Sequence, residues 1–194
     1  EWNDNGVEQD WPSLTKIYKA SNSLIGDTMW HPFDHQRGYH PDPFWGGIMD
    51  AYRQPKFSYY LLKSLMPSSG LENVPNVDAE PFVFIAHLMT PFSPDDVVVF
   101  TNCDEVRLYA YDKEIGTMKS TSSASPVPRI PVIFKNIYRY VDARNKNKKD
   151  YGKINQKYNK NATLKAEGII KGEVVAEHVR WPVGRKHGIM LKVD

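Results

Sequence analysis

Residues 26–65 hold an unusual concentration of side chains that can bind or transform a small molecule. Aromatic, imidazole, carboxylate and guanidinium groups crowd into this span, at Trp30, His31, Asp34, His35, Arg37, Tyr39, His40, Asp42 and Trp45. A flat aromatic face can stack on a ring, and the polar groups can exchange hydrogen bonds with hydroxyls or anions. So many of these groups in one loop-rich span predict a ligand-binding site.

Two predicted elements frame this loop. The run 24–30 is typical of a buried strand that ends at Trp30. After the loop, the apolar positions Phe57, Tyr60, Leu61 and Leu65 recur at helical spacing. A strand that empties into a polar and aromatic loop is typical of the end of a (β/α) barrel strand, where the active sites of such barrels lie.

Three motifs in fixed order carry a family resemblance: WHPFDHQRGY (30–39), GGIMD (46–50) and RQPKFSYY (53–60). They resemble the last barrel strand and following segment of glycoside hydrolase family 2, the β-galactosidase-like enzymes. The runs EPFVFIAH (80–87) and VVVFTNCDEVRLY (97–109) look like the β-sandwich that follows the barrel in that family. The resemblance covers nearly the whole chain, but only the C-terminal part of such an enzyme.

The resemblance implies hydrolysis of a terminal β-galactoside, or of a related β-linked sugar, with retention of configuration. Retaining glycosidases use two carboxyl groups, a nucleophile and an acid/base. The acid/base residue has no counterpart in this chain, so the segment alone is expected to be inactive. The implied partners are a carbohydrate substrate and the remaining domains of the same enzyme.

The resemblance also suggests roles for individual residues. Glu1 stands about one helix and one strand before Trp30, where the family carries its nucleophile in a motif of glutamate, aromatic and small residue. Asn3 departs from the more frequent glycine of that motif, and Glu1 can equally be a frayed terminal residue. Trp30 is expected to stack on the sugar ring, the alternative being a plug for the barrel core.

The polar neighbours of Trp30 are expected to bind hydroxyls or anions around the sugar: His31, Asp34, His35 and Arg37. Each can instead be a structural hydrogen-bond partner, and Asp34 and Arg37 can pair with each other. A metal site at His31, His35 and His40 is disfavoured, because no close histidine or carboxylate pair lies on one helix. No metal and no cofactor are therefore expected.

Three residues near the end of the loop have a structural interpretation. Asp50 and Arg53 are expected to pin the loop after the barrel, and Lys56 to lie in the first turn of the last helix.

Composition sets few further limits. A net charge of +2 indicates no polyanionic partner, so neither nucleic acid nor a membrane is expected as a partner. A homo-oligomer is possible. No apolar run approaches the ~20 residues that cross a bilayer. The single Cys103 excludes an internal disulfide and is typical of a small buried hydrophobe rather than a nucleophile. Glu1 is not an initiating methionine, which suggests a processed or truncated chain and leaves the compartment open, with the periplasm or secretion favoured for a bacterial protein.

The predicted fold is mostly β, an immunoglobulin-like β-sandwich preceded by the last β/α element of a (β/α)8 barrel. Residues 1–66 would end the barrel, 67–80 form a linker rich in turn residues, and 81–194 form the sandwich. Strand-like runs occupy 82–86, 97–101, 106–111, 131–135, 163–170, 174–180 and 188–193, with tight hairpins predicted at 111–114 and 170–173.

Two features of this region leave alternatives open. The basic segment 144–160 is expected to be a solvated loop, the alternative being a contact with nucleic acid or an anionic polysaccharide. The sandwich can also be a non-catalytic carbohydrate-binding module or a structural spacer. A binding module would need an exposed row of aromatic residues on one sheet face, which Phe100, Tyr109 and Tyr111 do not clearly provide.

Overall fold

A computed structural model of the chain describes residues 15–19, 31–71, 73–75, 77–90, 92–139 and 163–182. In this part of the chain there are two helices and seven strands. The helices are α1 at 15–19 and α2 at Phe57–Lys63. The strands are β1 (Val83–Ile85), β2 (Val97–Thr101), β3 (Glu105–Ala110), β4 (Lys113–Lys119), β5 (Val132–Phe134), β6 (Leu164–Ile170) and β7 (Glu173–Arg180).

The strands form two antiparallel sheets. A three-stranded sheet has the order β1-β2-β5, and a four-stranded sheet has the order β4-β3-β6-β7. The two sheets pack face to face around one apolar core, whose members include Ile85, Val99, Leu108, Tyr138 and Leu164. Strand β3 shows the alternation of inward apolar and outward polar residues that this packing requires. The predicted β-sandwich is therefore confirmed.

The three-stranded sheet is covered on both faces. Helix α2 lies on its outer side, where Phe57 and Leu61 pack against Phe84, Val98 and Phe100. All five residues of β2 are consequently buried, which explains why its sequence, VVVFT, lacks a polar alternation. The helix predicted after the loop is thus present, and its apolar spacing places Phe57 and Leu61 on the same buried face.

Two hairpins of the four-stranded sheet turn through two residues each. Lys171 and Gly172 have φ of 51° and 86°, and Tyr111 and Asp112 have φ of 54° and 64°. Positive φ at both central residues matches the right-handed twist of a hairpin. Both predicted tight turns are confirmed.

Strand β4 was absent from the predicted set of strands. Its sequence, KEIGTMK, has few β-branched residues, and its side chains are mostly exposed. It is a strand because its backbone pairs with β3, and this pairing is invisible to a pattern search on its own residues. Conversely, the predicted strands at 24–30 and 188–193 and the basic segment 144–160 lie outside the described residues, while 67–80 carries no helix or strand where it is described.

The free edge of β1 is capped by side chains from the other sheet. Ile85 donates its N–H to His178 Nδ1 at 3.1 Å, and Arg180 Nε donates to the Ile85 carbonyl at 3.2 Å. The His178 ring also stacks on Phe84, with centroids 4.9 Å apart. Burial, and next the charge of Arg180, lower the pKa of His178 to about 4. His178 is therefore neutral near pH 7 and can accept this bond.

Candidate functional site

The loop between residues 31 and 56 folds back on itself through backbone hydrogen bonds. His35 and Phe44 exchange two such bonds, of 3.2 and 2.9 Å, and Asp34 donates its N–H to the Met49 carbonyl at 3.0 Å. These contacts bring residues that are far apart in sequence into one compact unit without any regular strand. Backbone hydrogen bonds between nearby segments therefore hold the loop in its shape.

Asp34 is the buried centre of this unit. The residue is only 4% exposed, and its Oδ1 accepts hydrogen bonds from Lys56 Nζ at 2.7 Å and from the Gly47 N–H at 2.9 Å. A buried carboxylate requires such a paired charge. Its Oδ2 is also buried and has no hydrogen-bond partner in the described part of the chain. One oxygen of Asp34 is therefore committed to holding the loop.

This arrangement corrects two expectations. Asp34 pairs with Lys56, not with Arg37, because the fold brings the two distant residues into contact. Lys56 is the N-cap residue of α2 and not part of its first turn, since its ψ of 176° is extended. Its ammonium reaches back to the loop and also donates to the Trp45 carbonyl at 2.7 Å. Sequence reasoning missed this role, and no local pattern around Lys56 signals it.

Gly47 lets the loop close over Asp34. A Cβ at this position would lie 2.3 Å from the Asp34 backbone nitrogen and 2.3 Å from the Phe33 carbonyl carbon. Only a residue without a Cβ can let two backbone segments approach so closely.

The rings of His31 and His35 lie together. Their ring centroids are 4.5 Å apart, and both rings contact Phe44, at 5.0 and 5.3 Å. Desolvation, and next the neighbouring His35, hold the pKa of His31 below its ordinary value. His31 is therefore neutral near pH 7, so one ring nitrogen can donate and the other can accept a hydrogen bond.

Arg37 is engaged within its own turn. It donates to His40 Nδ1 at 3.2 Å and to the Asp42 carbonyl at 3.4 Å. The structure therefore brings His31 and His35 together, whereas Asp34 and Arg37 bind other partners. Glu1 and Trp30 lie outside the described residues. Catalysis by Glu1, and substrate binding by Trp30, His31, Asp34, His35 and Arg37, stay predictions.

Asp50 and Arg53 pin the end of the loop as expected. Asp50 Oδ1 accepts the N–H groups of Tyr52 and Gln54, each at 2.8 Å, which holds a turn in which Arg53 has a φ of 70°. The Arg53 guanidinium lies 3.6 Å from the centroid of the Phe33 ring. The loop displays exposed rings beside these fixed points, at Tyr39 (91% exposed), Trp45 (67%) and Tyr52 (85%).

The three aromatic residues considered for a carbohydrate-binding face of the sandwich lie apart from one another. Phe100 is buried beneath α2, and Tyr111 sits in a hairpin turn with its hydroxyl accepting the Arg139 N–H at 3.0 Å. Tyr109 is on the outer face of the four-stranded sheet, where the Lys165 ammonium lies 5.0 Å from its ring. The three aromatic residues therefore do not share a face.

Charged pairs occupy that outer face instead. Glu167 accepts hydrogen bonds from Arg107 at 3.4 Å and from Lys165 at 2.6 Å, and Lys165 also donates to Glu177 at 3.1 Å. The two carboxylates raise the pKa of Lys165. This ladder spans β3, β6 and β7 and satisfies its charges internally.

The cleft beside α1 and the buried Cys103 show no arrangement for glycoside hydrolysis in the described residues. An open cleft of about 380 Å³ lies between α1 and residues 122–133, and Lys19 is its one ionisable lining residue among those described. Cys103 is buried, its pKa is raised by burial, and its Sγ lies 3.6 Å from the Phe82 carbonyl, as expected for a small core residue. Within the described ranges no cluster of three metal-ligating side chains occurs, and no helix there is long and apolar enough to cross a bilayer.

Comparison with known proteins supports the resemblance to the glycosidases. The chain is 28% identical over 191 residues to a β-galactosidase of Thermoanaerobacter pseudethanolicus, and the match covers 92% of this chain. It spans 23% of that enzyme, or about a quarter of its length. No protein-family model matches the chain.

Solved structures of glycosidases share the fold. A β-glycosidase from Bacteroides vulgatus matches 84% of this chain and 17% of its own, with a TM-score of 0.57 and 22% identity. A Parabacteroides merdae β-glucuronidase with glycerol in its active site matches 89% of this chain and 19% of its own, with a TM-score of 0.59 and 19% identity. The predicted resemblance is confirmed to this extent: the chain is similar in sequence to part of a β-galactosidase, and in fold to part of a β-glycosidase and of a β-glucuronidase.

Proposed function

We propose that this chain is the C-terminal region of a retaining glycoside hydrolase that cleaves terminal β-galactosides or related β-linked sugars. The observation that carries the proposal is the match to a β-galactosidase over nearly the whole chain, together with the three ordered motifs in residues 30–60. In this proposal residues 1–66 supply the last β/α element of a (β/α)8 barrel. The sandwich behind it is immunoglobulin-like.

The proposed division of labour places the nucleophile at Glu1 and sugar stacking at Trp30. The loop at residues 31–56 contributes polar side chains to the site. Among them, neutral His31 and its neighbour His35 exchange hydrogen bonds with sugar hydroxyls. Asp34 is not suited to be the nucleophile or the acid/base, because its Oδ1 is bound to Lys56 and Gly47 in a buried position. Its other oxygen, Oδ2, has no partner in the described residues but is buried as well, so a sugar hydroxyl would have to enter the loop to donate a hydrogen bond to it.

The segment is incomplete as a catalyst in this proposal. Retaining hydrolysis needs a second carboxyl group about 5 Å from the nucleophile and donors that are preorganised around the developing charge. The remaining three quarters of the enzyme would supply these groups. A carbohydrate-binding module is the weaker alternative, because Phe100, Tyr109 and Tyr111 lie in three different environments.

The proposal is tested in the full-length enzyme that contains this chain, with an aryl β-galactoside as substrate. Glu1→Gln removes the nucleophile and should lower kcat by several orders of magnitude, and a mechanism-based fluoro-sugar should no longer label the protein. Trp30→Ala removes stacking of about 1 to 3 kcal/mol and should lower kcat/KM by roughly one to two orders of magnitude.

Matched controls are available elsewhere in the chain. Glu114→Gln, on the exposed strand β4, and Trp181→Ala, at an exposed tryptophan after β7, should leave kcat/KM within about twofold. Labelling of a residue other than Glu1 would place the nucleophile elsewhere. Turnover by the 194-residue chain alone would contradict its incompleteness, and a full-length protein without activity on any β-glycoside would contradict the function itself.

A further inference from the structure

Lys56 occupies the junction between the candidate site and the sandwich. Its backbone N–H donates to the Ile48 carbonyl at 3.0 Å, and its ammonium bridges Asp34 Oδ1 and the Trp45 carbonyl, both at 2.7 Å. The side chain does not cap α2, whose first helical residue is Phe57. Three separate points of the loop are thus tied to one residue that is one peptide bond from the helix.

Helix α2 in turn packs tightly against the sandwich. Leu61 is fully buried and Phe57 nearly so, both against the outer face of the three-stranded sheet. Tyr60 stacks on Phe84 with centroids 3.5 Å apart and an interplanar angle of 8°. On β1, the Ile85 backbone is further held by His178 of β7. Since packed interiors transmit displacement and do not absorb it, the first turn of α2 has little freedom to move.

From these contacts we infer that Lys56 is a positioning residue, through which the sandwich, by way of α2, fixes the Asp34–Trp45 part of the candidate site. Lys56 is the N-cap residue of α2, which packs against the three-stranded sheet. Because the side chain of Lys56 binds the loop, the position of the loop depends on the sandwich. This inference rests on the proposed function, and it gives the sandwich a role beyond that of a spacer.

The expected signature is kinetic. A displaced loop misplaces groups that must be aligned with the reacting sugar, and small misplacements act strongly on the chemical step. Loss of the anchor should therefore lower kcat more than it raises KM. If Lys56 had a purely structural role, its replacement would lower the thermal midpoint without lowering kcat more than it raises KM.

The first experiment replaces the anchoring ammonium in the full-length enzyme. Lys56→Met keeps the aliphatic stem and should lower kcat on an aryl β-galactoside by at least about tenfold, with KM changed by less than about threefold. Lys63→Met is the matched control, because Lys63 lies at the far end of the same helix and pairs with the exposed Asp78. It should leave kcat within about twofold.

A second pair of variants covers the case in which Lys56→Met leaves Asp34 unpaired and the protein does not fold. Leu61→Ala loosens the seat of α2, whereas Leu108→Ala opens an equally buried position between the two sheets. At equal distances below their thermal midpoints, Leu61→Ala should lower kcat by about tenfold and Leu108→Ala by less than about twofold. The conservative Leu61→Met should restore kcat.

The outcomes separate the inference from the function on which it rests. An inactive full-length wild type would overturn the proposed function. An active wild type in which Lys56→Met behaves like Lys63→Met, or Leu61→Ala like Leu108→Ala, would overturn the positioning role alone.

Discussion

The cap that His178 places on strand β1 should make the stability of this fold depend on pH. The pKa of His178 lies at about 4 in the folded chain against an ordinary value of 6.5. Because the folded state favours the neutral ring, this contribution is fully present above about pH 6.5 and is lost as the pH falls towards 4. Protonation puts a hydrogen on Nδ1, so the bond from the Ile85 N–H at 3.1 Å cannot persist, and the new charge faces Arg180.

The size of the effect follows from the same two values. The interval between 6.5 and about 4 corresponds to at most about 3 kcal/mol of linked stability. Since the ring is only partly buried and water screens the charge of Arg180, we expect about 1 to 2 kcal/mol. The neighbouring groups that face His178 are Phe84, Tyr60 behind it, and Arg180, and none of these three side chains changes charge in this window.

Urea unfolding at a series of pH values measures this contribution when the wild-type chain is compared with His178→Gln. The glutamine can offer its carbonyl oxygen to Ile85 but does not titrate, so the other ionisable groups cancel in the difference. The free energy of unfolding of the wild type relative to the variant should decline by about 1 to 2 kcal/mol between pH 7 and pH 4. A difference that stays flat, or that grows as the pH falls, would refute the reasoning.

Three further predictions concern stability and reactivity. Gly47→Ala would push a Cβ to 2.3 Å from backbone atoms and should lower the thermal midpoint by the equivalent of about 2 to 4 kcal/mol, whereas Gly38→Ala, at a φ of 66° in open space, should cost only about 1 kcal/mol. Lys171→Asn places a residue that tolerates a φ of 51° in the β6–β7 turn and should raise the urea midpoint by the equivalent of about 0.5 kcal/mol; a loss of stability would contradict the turn assignment. Alkylation of Cys103, whose pKa is raised by burial, should be at least about tenfold slower in the folded chain than in urea, and equal rates would show that the thiol is accessible.

The sequence predicted the elements whose own residues carry the pattern. Strand β3 alternates, α2 places Phe57 and Leu61 on one face, and the turn at Lys171 lies between two apolar runs, so each could be recognised locally. Strand β4 could not, because it is a strand by virtue of pairing with β3 and its composition indicates a loop.

The candidate site shows the same division. The loop-pinning role of Asp50 follows from residue types and short spacing, whereas the contact between the His31 and His35 rings was not predicted. The ion pair between Asp34 and Lys56 depends on a loop closure that Gly47 allows by lacking a Cβ. A sequence pattern records which groups are present, but it does not record which of several basic residues a buried carboxylate will meet.

The double-sided burial of strand β2 has a consequence for where this protein can be cut. A segment that began at residue 81 would keep both sheets but lose α2, leaving Phe84, Val98 and Phe100 open to water on one broad face. Exposed apolar faces of this kind promote association between chains. During synthesis on the ribosome α2 emerges before the strands that it covers, so the cover is already available when the sheet forms. A sandwich expressed on its own should therefore begin before Phe57. The turn-rich stretch 67–80 would suggest a later boundary, but a segment that began there would lack α2.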